Sequence, residues 1–410
     1  MPPVAMTTEK LYWRDPWAVA FEGATARASV SPVAAGTSPG PSLVLDRTLF
    51  YPEAGGQLAD RGELVVDGRV FAVTDVQIDE AGAIHHHLAE PSHLPEGARV
   101  PVSGRIDAAR RRDFMAQHTA QHMLSRALLD EAAAETVSSR LGETSCTLDL
   151  QRDSIPEGEL ARAEDLVNAA IRNDLVVHTL FPTAEELAAL PLRRPPKVTE
   201  GVRVVDIEGF DVSPCGGTHC TRTGQIGVLR IVGVERYKGM TRVTFHAAAR
   251  ALHDARAKER VLLGLAQELT CGALDVPAAV ARLRADLKEQ RDALSQARGE
   301  LVELLTREAL AAHPAREGAT TPVALVRASG DLPMLRTLAG RLAQRADVVA
   351  FCAAPDGAGS DWLLVVQRGA AATFDCGAWF KRTAAEHGGR GGGRPERAEG
   401  RLPATVNLAG

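Results

Sequence analysis

Two short segments carry the residue types most able to do chemistry. His118-Thr119-Ala120-Gln121-His122 places two imidazoles four residues apart, and Pro214-Cys215-Gly216-Gly217-Thr218-His219-Cys220 offers a thiol and an imidazole across a turn containing two glycines. On a helix, residues four apart sit one turn above each other, so His118 and His122 can reach a single ion. The glycines of the second segment permit the tight turn that wrapping an ion requires. Soft sulfur plus imidazole nitrogen, with no carboxylate of the H-E-x-x-H type, is a zinc inventory. His118, His122, Cys215 and His219 are therefore the expected Zn2+ ligands. Four protein ligands would close a tetrahedral site, whereas metal-assisted hydrolysis keeps a position open for water, so an architectural zinc is the competing expectation. Cys220 follows His219 too directly to bind the same ion without strain. His85-His86-His87 is assigned no role, because adjacent histidines at a strand end alternate faces and solvated or partly packed imidazoles are the ordinary case.

The elements that must position these residues can be read from periodicity. Short strand-like runs at Ser42-Leu45, Gly62-Val66, Val70-Val76 and Arg99-Val102 indicate a small barrel or curled sheet, interrupted by the loop Tyr51-Pro52-Glu53-Ala54-Gly55-Gly56-Gln57. From Asp107, an N-cap residue, the period turns helical, with Ala109, Ala116, Ala120, Met123, Leu124, Ala127 and Leu128 on one face and both histidines directed away from it. Strand Thr144-Leu150, a helix over Pro156-Asn173 and strands Val202-Ile207 and Gly227-Val234 follow. From Ala248 to His313 the chain favours helix, broken at Thr270-Cys271-Gly272 and restarting after Asp275-Val276-Pro277. In the second helix Val280, Leu283, Leu287, Gln290, Leu294, Ala297, Leu301 and Leu304 form a heptad seam, which suggests an antiparallel hairpin and is compatible with a homodimer. Strands Val323-Ala328, Val348-Cys352 and Trp362-Val366 around helix Leu332-Gln344 suggest a terminal α/β unit. The expected class is α+β, with domains at 1-102 (barrel-like), 103-247 (zinc-binding), 248-313 (helical hairpin or coiled coil) and 314-410.

The net charge is -5, so no global field draws the chain to nucleic acid, and RNA contact must use local patches. Pro314-Gly410 holds twelve Arg or Lys against nine Asp or Glu, an excess of three. Its run Gly388-Gly389-Arg390-Gly391-Gly392-Gly393-Arg394-Pro395-Glu396-Arg397 sets backbone amides beside guanidiniums, which makes Arg390, Arg394 and Arg397 the expected phosphate contacts. A disordered Gly/Arg tail is the plain alternative. Met1-Trp13 lacks a signal-like pattern and no apolar run approaches membrane-spanning length, so a cytoplasmic location without membrane attachment is expected. Six scattered cysteines point to free thiols or ligands instead of disulfides.

The two metal motifs, preceded by Phe50-Tyr51-Pro52-Glu53-Ala54-Gly55-Gly56-Gln57, resemble the editing domain of alanyl-tRNA synthetase, which also exists as the stand-alone AlaX proteins. The helical stretch and Gly389-Arg390-Gly391-Gly392-Gly393-Arg394-Pro395-Glu396 are similar to the synthetase's carboxy-terminal, DHH-associated domain, in the order of the long AlaX form. The resemblance implies trans-editing: hydrolysis of the ester joining serine, or glycine, to alanine-specific tRNA, without aminoacylation. One binding pocket cannot reject such close analogues of alanine well enough, so a second, hydrolytic site is needed. It also directs attention to Gly55, Gly56 and Gln57 near the tRNA end, and to Thr136, Ser138 and Ser139 as readers of the serine hydroxyl. Editing of seryl-tRNA(Thr), and a non-catalytic tRNA-binding module with structural zinc, are the alternatives.

Overall fold

The computed structural model describes residues 7–30, 41–90, 98–196, 198, 201–315, 319–327, 329–357 and 361–406. Met1–Met6, part of the amino-terminal stretch read above, and Ala328, the expected end of a strand, lie outside them. The chain divides into two compact units, Met1–Val261 and Leu262–Gly410.

The first unit begins with a closed barrel of six strands in the order Ala20–Val30, Pro41–Leu45, Ile84–Leu88, Arg69–Ile78, Gly62–Val66 and Arg99–Ile106. Alternation of apolar and polar residues fills its interior with Leu43, Leu45, Leu64, Val66, Val76, Ile84 and Val102, all buried. Sequence reading missed two of these strands. Ile84–Leu88 escaped because it carries three consecutive histidines, which look too polar for a strand interior. Here His86 is buried and finds partners in Thr48 Oγ1 (2.9 Å) and the Leu43 carbonyl (2.9 Å). His85, also buried, lies between Ser42 Oγ and Asp79 Oδ2, each at 3.1 Å. A buried imidazole is tolerated when both ring nitrogens are satisfied.

The helix expected after Asp107 runs Ala108–Ala132, capped as anticipated: Asp107 Oδ1 accepts from the N–H groups of Ala109 (2.9 Å) and Arg110 (3.0 Å). It lies in one core with strands Cys146–Leu150 and Met240–Ala247 and helix Glu157–Arg172. Those two strands belong to a four-stranded antiparallel sheet ordered Leu229–Tyr237, Met240–Ala247, Cys146–Leu150, Thr136–Leu141. Because the helix is covered on nearly every side, His118 and His122 are buried, although they point away from the apolar stripe. A small sheet of Val177–Leu180, Val204–Ile207 and Asp211–Pro214 delivers the second metal motif from its last strand.

In the second unit a five-stranded sheet is ordered Thr321–Val326, Val348–Pro355, Asp361–Arg368, Arg397–Pro403, Arg390–Arg394, with helices Leu332–Leu342 and Cys376–His387 packed on it. The Gly/Arg run is thus an ordered hairpin and not a tail. Arg390–Arg394 is the edge strand of the sheet, paired on one side with Arg397–Pro403, so the ladder takes alternate amides and leaves the others pointing outward. The glycines have a packing cause: a Cβ on Gly391 or Gly400 would lie 2.6 or 2.7 Å from the Phe380 ring of the helix above. The long helix Val276–Ala312 exists as expected, but Val280, Leu283, Leu287 and Leu294 are exposed; an antiparallel hairpin would have buried them. Beyond the buried Val276 at its start, the helix is covered in its later turns, through Leu301, Val302, Leu305, Ala309 and Leu310 against the sheet's core. Among the described residues no single helix is long and apolar enough to cross a membrane, and all six cysteines are free.

One buried ion pair fastens the barrel's loop to the central helix. The Arg111 guanidinium sits on the Asp60 carboxylate and also donates to the carbonyls of Leu49 and Pro16, while Asp60 Oδ2 accepts from the Tyr51 N–H at 2.7 Å. Both side chains are about 1% exposed. Breaking such a pair leaves an uncompensated buried charge, so Arg111→Met should lower unfolding stability by about 3–5 kcal/mol. Urea denaturation followed by tryptophan fluorescence checks this; a midpoint equal to that of the parent would show that the pair does not hold the loop.

Candidate metal centre

The central helix supplies His118 and His122, and the segment after strand Asp211–Pro214 supplies Cys215 and His219. One ligand-capable atom from each lies within 4.8 Å of the others. Cys215 Sγ is 3.4 Å from His118 Nε2 and 3.3 Å from His219 Nε2. All four candidate ligands taken from the sequence are therefore brought together. The turn that places the thiol depends on a close approach: a Cβ on Gly217 would fall 2.2 Å from His118 Cε1, so any side chain there displaces the imidazole.

What surrounds the cluster decides its chemistry. His118 Nδ1 lies 2.7 Å from Gln57 Oε1, which also accepts from the Thr218 N–H at 3.2 Å, while Gln57 Nε2 donates to Thr218 Oγ1 at 2.8 Å. Since a backbone N–H can only donate, the amide oxygen must face it, and His118 Nδ1 must then carry the proton. Thr119 Oγ1 donates to the Met115 carbonyl (2.8 Å) and accepts from the Cys220 N–H (3.0 Å), so His219 Nδ1, 3.3 Å away, must also donate. His122 Nδ1 faces Asp211 Oδ2 at 3.4 Å, an ion-pair distance without the geometry of a good hydrogen bond. Asp211 is itself held by Arg193 (2.6 Å) and Ser213 (2.9 Å). Burial alone would raise its pKa, but His122 and Arg193 hold the carboxyl down at about 2, leaving it only an acceptor.

The protons of His118 and His219 are thereby placed on Nδ1, and their two Nε2 lone pairs are left beside the Cys215 sulfur. Burial disfavours the Cys215 thiolate, yet the neighbouring imidazoles pull its pKa well below the usual thiol range. Burial likewise holds His118 and His219 toward the neutral form. For His122 the opposing influence of the thiolate and Asp211 prevails over burial and raises its pKa. Imidazole nitrogens and a thiolate, with His118 and His219 oriented by hydrogen bonds and His122 facing a carboxylate, form the donor set that a borderline-soft divalent cation takes. The residues present fit zinc.

A cavity of about 670 Å³ opens onto this cluster, lined by His118 and Cys215 among the ligands and by Gly55, Gly56, Gln121, Ser138 and Ser139. Gln57 was expected beside Gly55 and Gly56 as a substrate contact; its side chain is fully buried and spent on His118 and Thr218. Of the three candidate hydroxyls on strand Thr136–Leu141, Thr136 is turned to Ser125 Oγ (2.9 Å) and is not part of the lining. Ser138 donates to Asp149 at 2.7 Å. Arg390 and Arg394 are exposed in the second unit, whereas Arg397 pairs with Glu399 at 2.7 Å.

Sequence reading missed Asp211, Thr119 and Arg203. The last is buried, and its Nη1 donates to the carbonyls of Cys215 and Gly217, both at 2.8 Å, clamping the metal turn. No spacing rule singles it out, because a lone arginine in a strand reads as surface. Trp13, whose Nε1 donates to the Gly216 carbonyl at 3.0 Å, was missed for the same reason.

Comparisons with known proteins give the family. Residues 202–244 match the threonyl and alanyl tRNA synthetase second additional domain, and residues 10–110 match tRNA synthetases class II (A). The alanine–tRNA ligase of Methanothrix thermoacetophila is 31% identical over 409 residues, covering 97% of this chain and 42% of its own length. That of Thermococcus kodakarensis is 32% identical, with 96% and 42% covered, and that of Methanopyrus kandleri 35% identical, with 65% and 30% covered. A solved C-Ala domain of Aquifex aeolicus alanyl-tRNA synthetase is similar over 22% of this chain and 83% of that one, at 24% identity and a TM-score of 0.20, too low to establish a shared fold. The chain spans about two fifths of the length of the first two relatives. The barrel and the His/Cys site thus define a protein related to the class II tRNA synthetases and the additional domain that threonyl and alanyl enzymes share. Within that class the chain belongs to the alanyl-tRNA synthetase family and is AlaX-like.

Removing a ligand should abolish tight zinc binding, while removing its support should weaken it. We expect His118→Ala and Cys215→Ala to lose stoichiometric zinc, and Gln57→Ala or Asp211→Ala to bind about 10–100-fold more weakly. Competition with a chromophoric chelator measures both; parental zinc affinity in Cys215→Ala would remove the thiol from the set.

Proposed function

We propose that this chain is a zinc-dependent trans-editing hydrolase that deacylates tRNA(Ala) mischarged with serine or glycine. The reading is carried by the cavity that reaches two of the four candidate ligands, since an architectural ion needs no route from solvent. Water adds to the ester carbonyl and the bond from that carbon to the ribose oxygen breaks. The amino acid leaves as a carboxylate, and the proton returns the tRNA terminus to a free hydroxyl. When bound, zinc would supply Lewis acidity at the closed end of the cavity. Gln57, Thr119 and Asp211 hold the imidazoles, and Arg203 holds the turn. Of the two serines in the lining, Ser138 already serves Asp149, and we take Ser139 as the one that reads the serine side chain.

The second unit we read as a DHH-associated, tRNA-binding domain in which Arg390 and Arg394 face solvent as phosphate contacts. Arg397, paired with Glu399, contributes less. A location in the cytoplasm, with translation, accords with these assignments. The competing reading, a structural zinc in a tRNA-binding module, draws on the complete four-residue ligand set; it requires that chelation unfold the first unit, because a closed site contributes directly to folding.

Metal-loaded protein should release serine from Ser-tRNA(Ala), with His118→Ala inactive and Ser139→Ala losing its preference for serine over glycine. Deacylation of serine-, glycine- and alanine-charged tRNA(Ala), followed beside circular dichroism during chelation, distinguishes the readings. Intact esters in wild type and variant alike, with unfolding on chelation, would sink the hydrolase and favour the structural ion.

A further inference from the structure

The rim of the metal cavity carries a cation with no anionic partner. Lys10 lines the cavity together with His118, Cys215 and Gly216, and among the described residues no carboxylate lies within 4 Å of its ammonium group. The adjacent Glu9 is taken by Arg14 at 3.2 Å. Lys10 Nζ sits 4.4 Å above the Trp13 ring, a contact that steadies a half-buried ammonium. Trp13 is in turn bonded to the metal turn through its indole N–H and the Gly216 carbonyl. The ammonium is thus tied, through one rigid ring, to the backbone that presents Cys215. Burial lowers the Lys10 pKa, so an arriving anion would relieve a desolvation cost that no protein carboxylate relieves.

An aminoacyl ester at the metal brings a definite anion to this distance scale. The amino acid's own carboxylate is consumed in the ester, so the nearest negative charge on the substrate is the phosphodiester one ribose away. In a chain of net charge -5, an unpaired cation at the mouth is where such a group gains most. Of the other cations of the lining, Arg203 is occupied by the carbonyls of Cys215 and Gly217, and Arg194 is exposed.

We propose that Lys10, held on Trp13, binds the terminal phosphodiester of the RNA 3′ end and thereby sets how far the esterified ribose enters the metal cavity. This assignment rests on the editing reading of the site. Lys10→Met keeps the apolar stem over Trp13 and removes the charge. It should raise KM for Ser-tRNA(Ala) about tenfold while kcat changes little, and flatten the salt dependence of kcat/KM by about 0.7 in the log–log slope, one single-strand phosphate contact. The KM increase should be several times larger for the tRNA than for 3′-O-seryl-adenosine, which carries the ester without a phosphate, and Lys10→Arg should recover most of the loss. Equal effects on the two esters, or an unchanged salt slope, would overturn the assignment.

A binding arm separates this proposal from the editing reading. Uncharged oligonucleotides ending in CCA, with either a phosphodiester or a methylphosphonate at the last linkage, are compared by fluorescence anisotropy on the metal-loaded full chain. Wild type should prefer the phosphodiester and Lys10→Met should lose that preference. If neither ester is hydrolysed the editing reading fails by itself, and the oligonucleotide preference still decides: retained in Lys10→Met, it refutes the phosphate role.

Discussion

Three imidazoles and a thiol each bring a ligand-capable atom within 4.8 Å of the others, and the protein holds that crowded arrangement by contacts from behind. Gln57 and Thr119 accept the Nδ1 protons of His118 and His219, and the Asp211 carboxylate faces His122 Nδ1 at ion-pair distance. This constraint, more than the identity of the four ligands, organises the first unit. Gln57 comes from the barrel's loop, Thr119 from the central helix and Asp211 from the small sheet, so all three elements must meet before the donor set exists. The Arg111–Asp60 pair that ties loop to helix is therefore as necessary to the site as any ligand.

The glycines near the site act through space rather than through flexibility. Gly217 is required because His118 occupies the volume a side chain would need. In the second unit the same argument applies to Gly391 within a Gly/Arg run whose composition suggested disorder: Phe380 lies on the hairpin where a Cβ would stand. In both places a residue type that suggested motion marks close packing. The candidate histidine ligands and their supports are buried, while Lys10, Trp13 and Arg194 line the cavity that opens onto them.

Much of this was legible because it obeys local rules. The i, i+4 histidines, the Asp107 cap, the Cys-Gly-Gly-Thr-His turn and the long second helix are set by spacing and capping, which act within a few residues, and the structure reproduces their positions. The Ile84–Leu88 strand was not legible, since burial of His85 and His86 depends on Ser42, Thr48 and the Leu43 carbonyl, which are remote in sequence, as well as on the nearer Asp79. Exposure of Val280, Leu283, Leu287 and Leu294 was equally hidden, because a heptad records an apolar face without recording what covers it.

The sequence by itself determined the chemical inventory: which four side chains are able to take a soft divalent cation, and which helix and turn carry them. Tertiary structure alone decided the rest. It turned Gln57 from the substrate side to His118, brought Asp211 behind His122, and placed Arg203 under the metal turn, across separations of 61, 89 and 12 residues. The physical reason is that ligand type is a property of single residues, whereas protonation state and access to a cavity are properties of the whole buried environment, which exists only once the barrel, the helix and the sheets have packed.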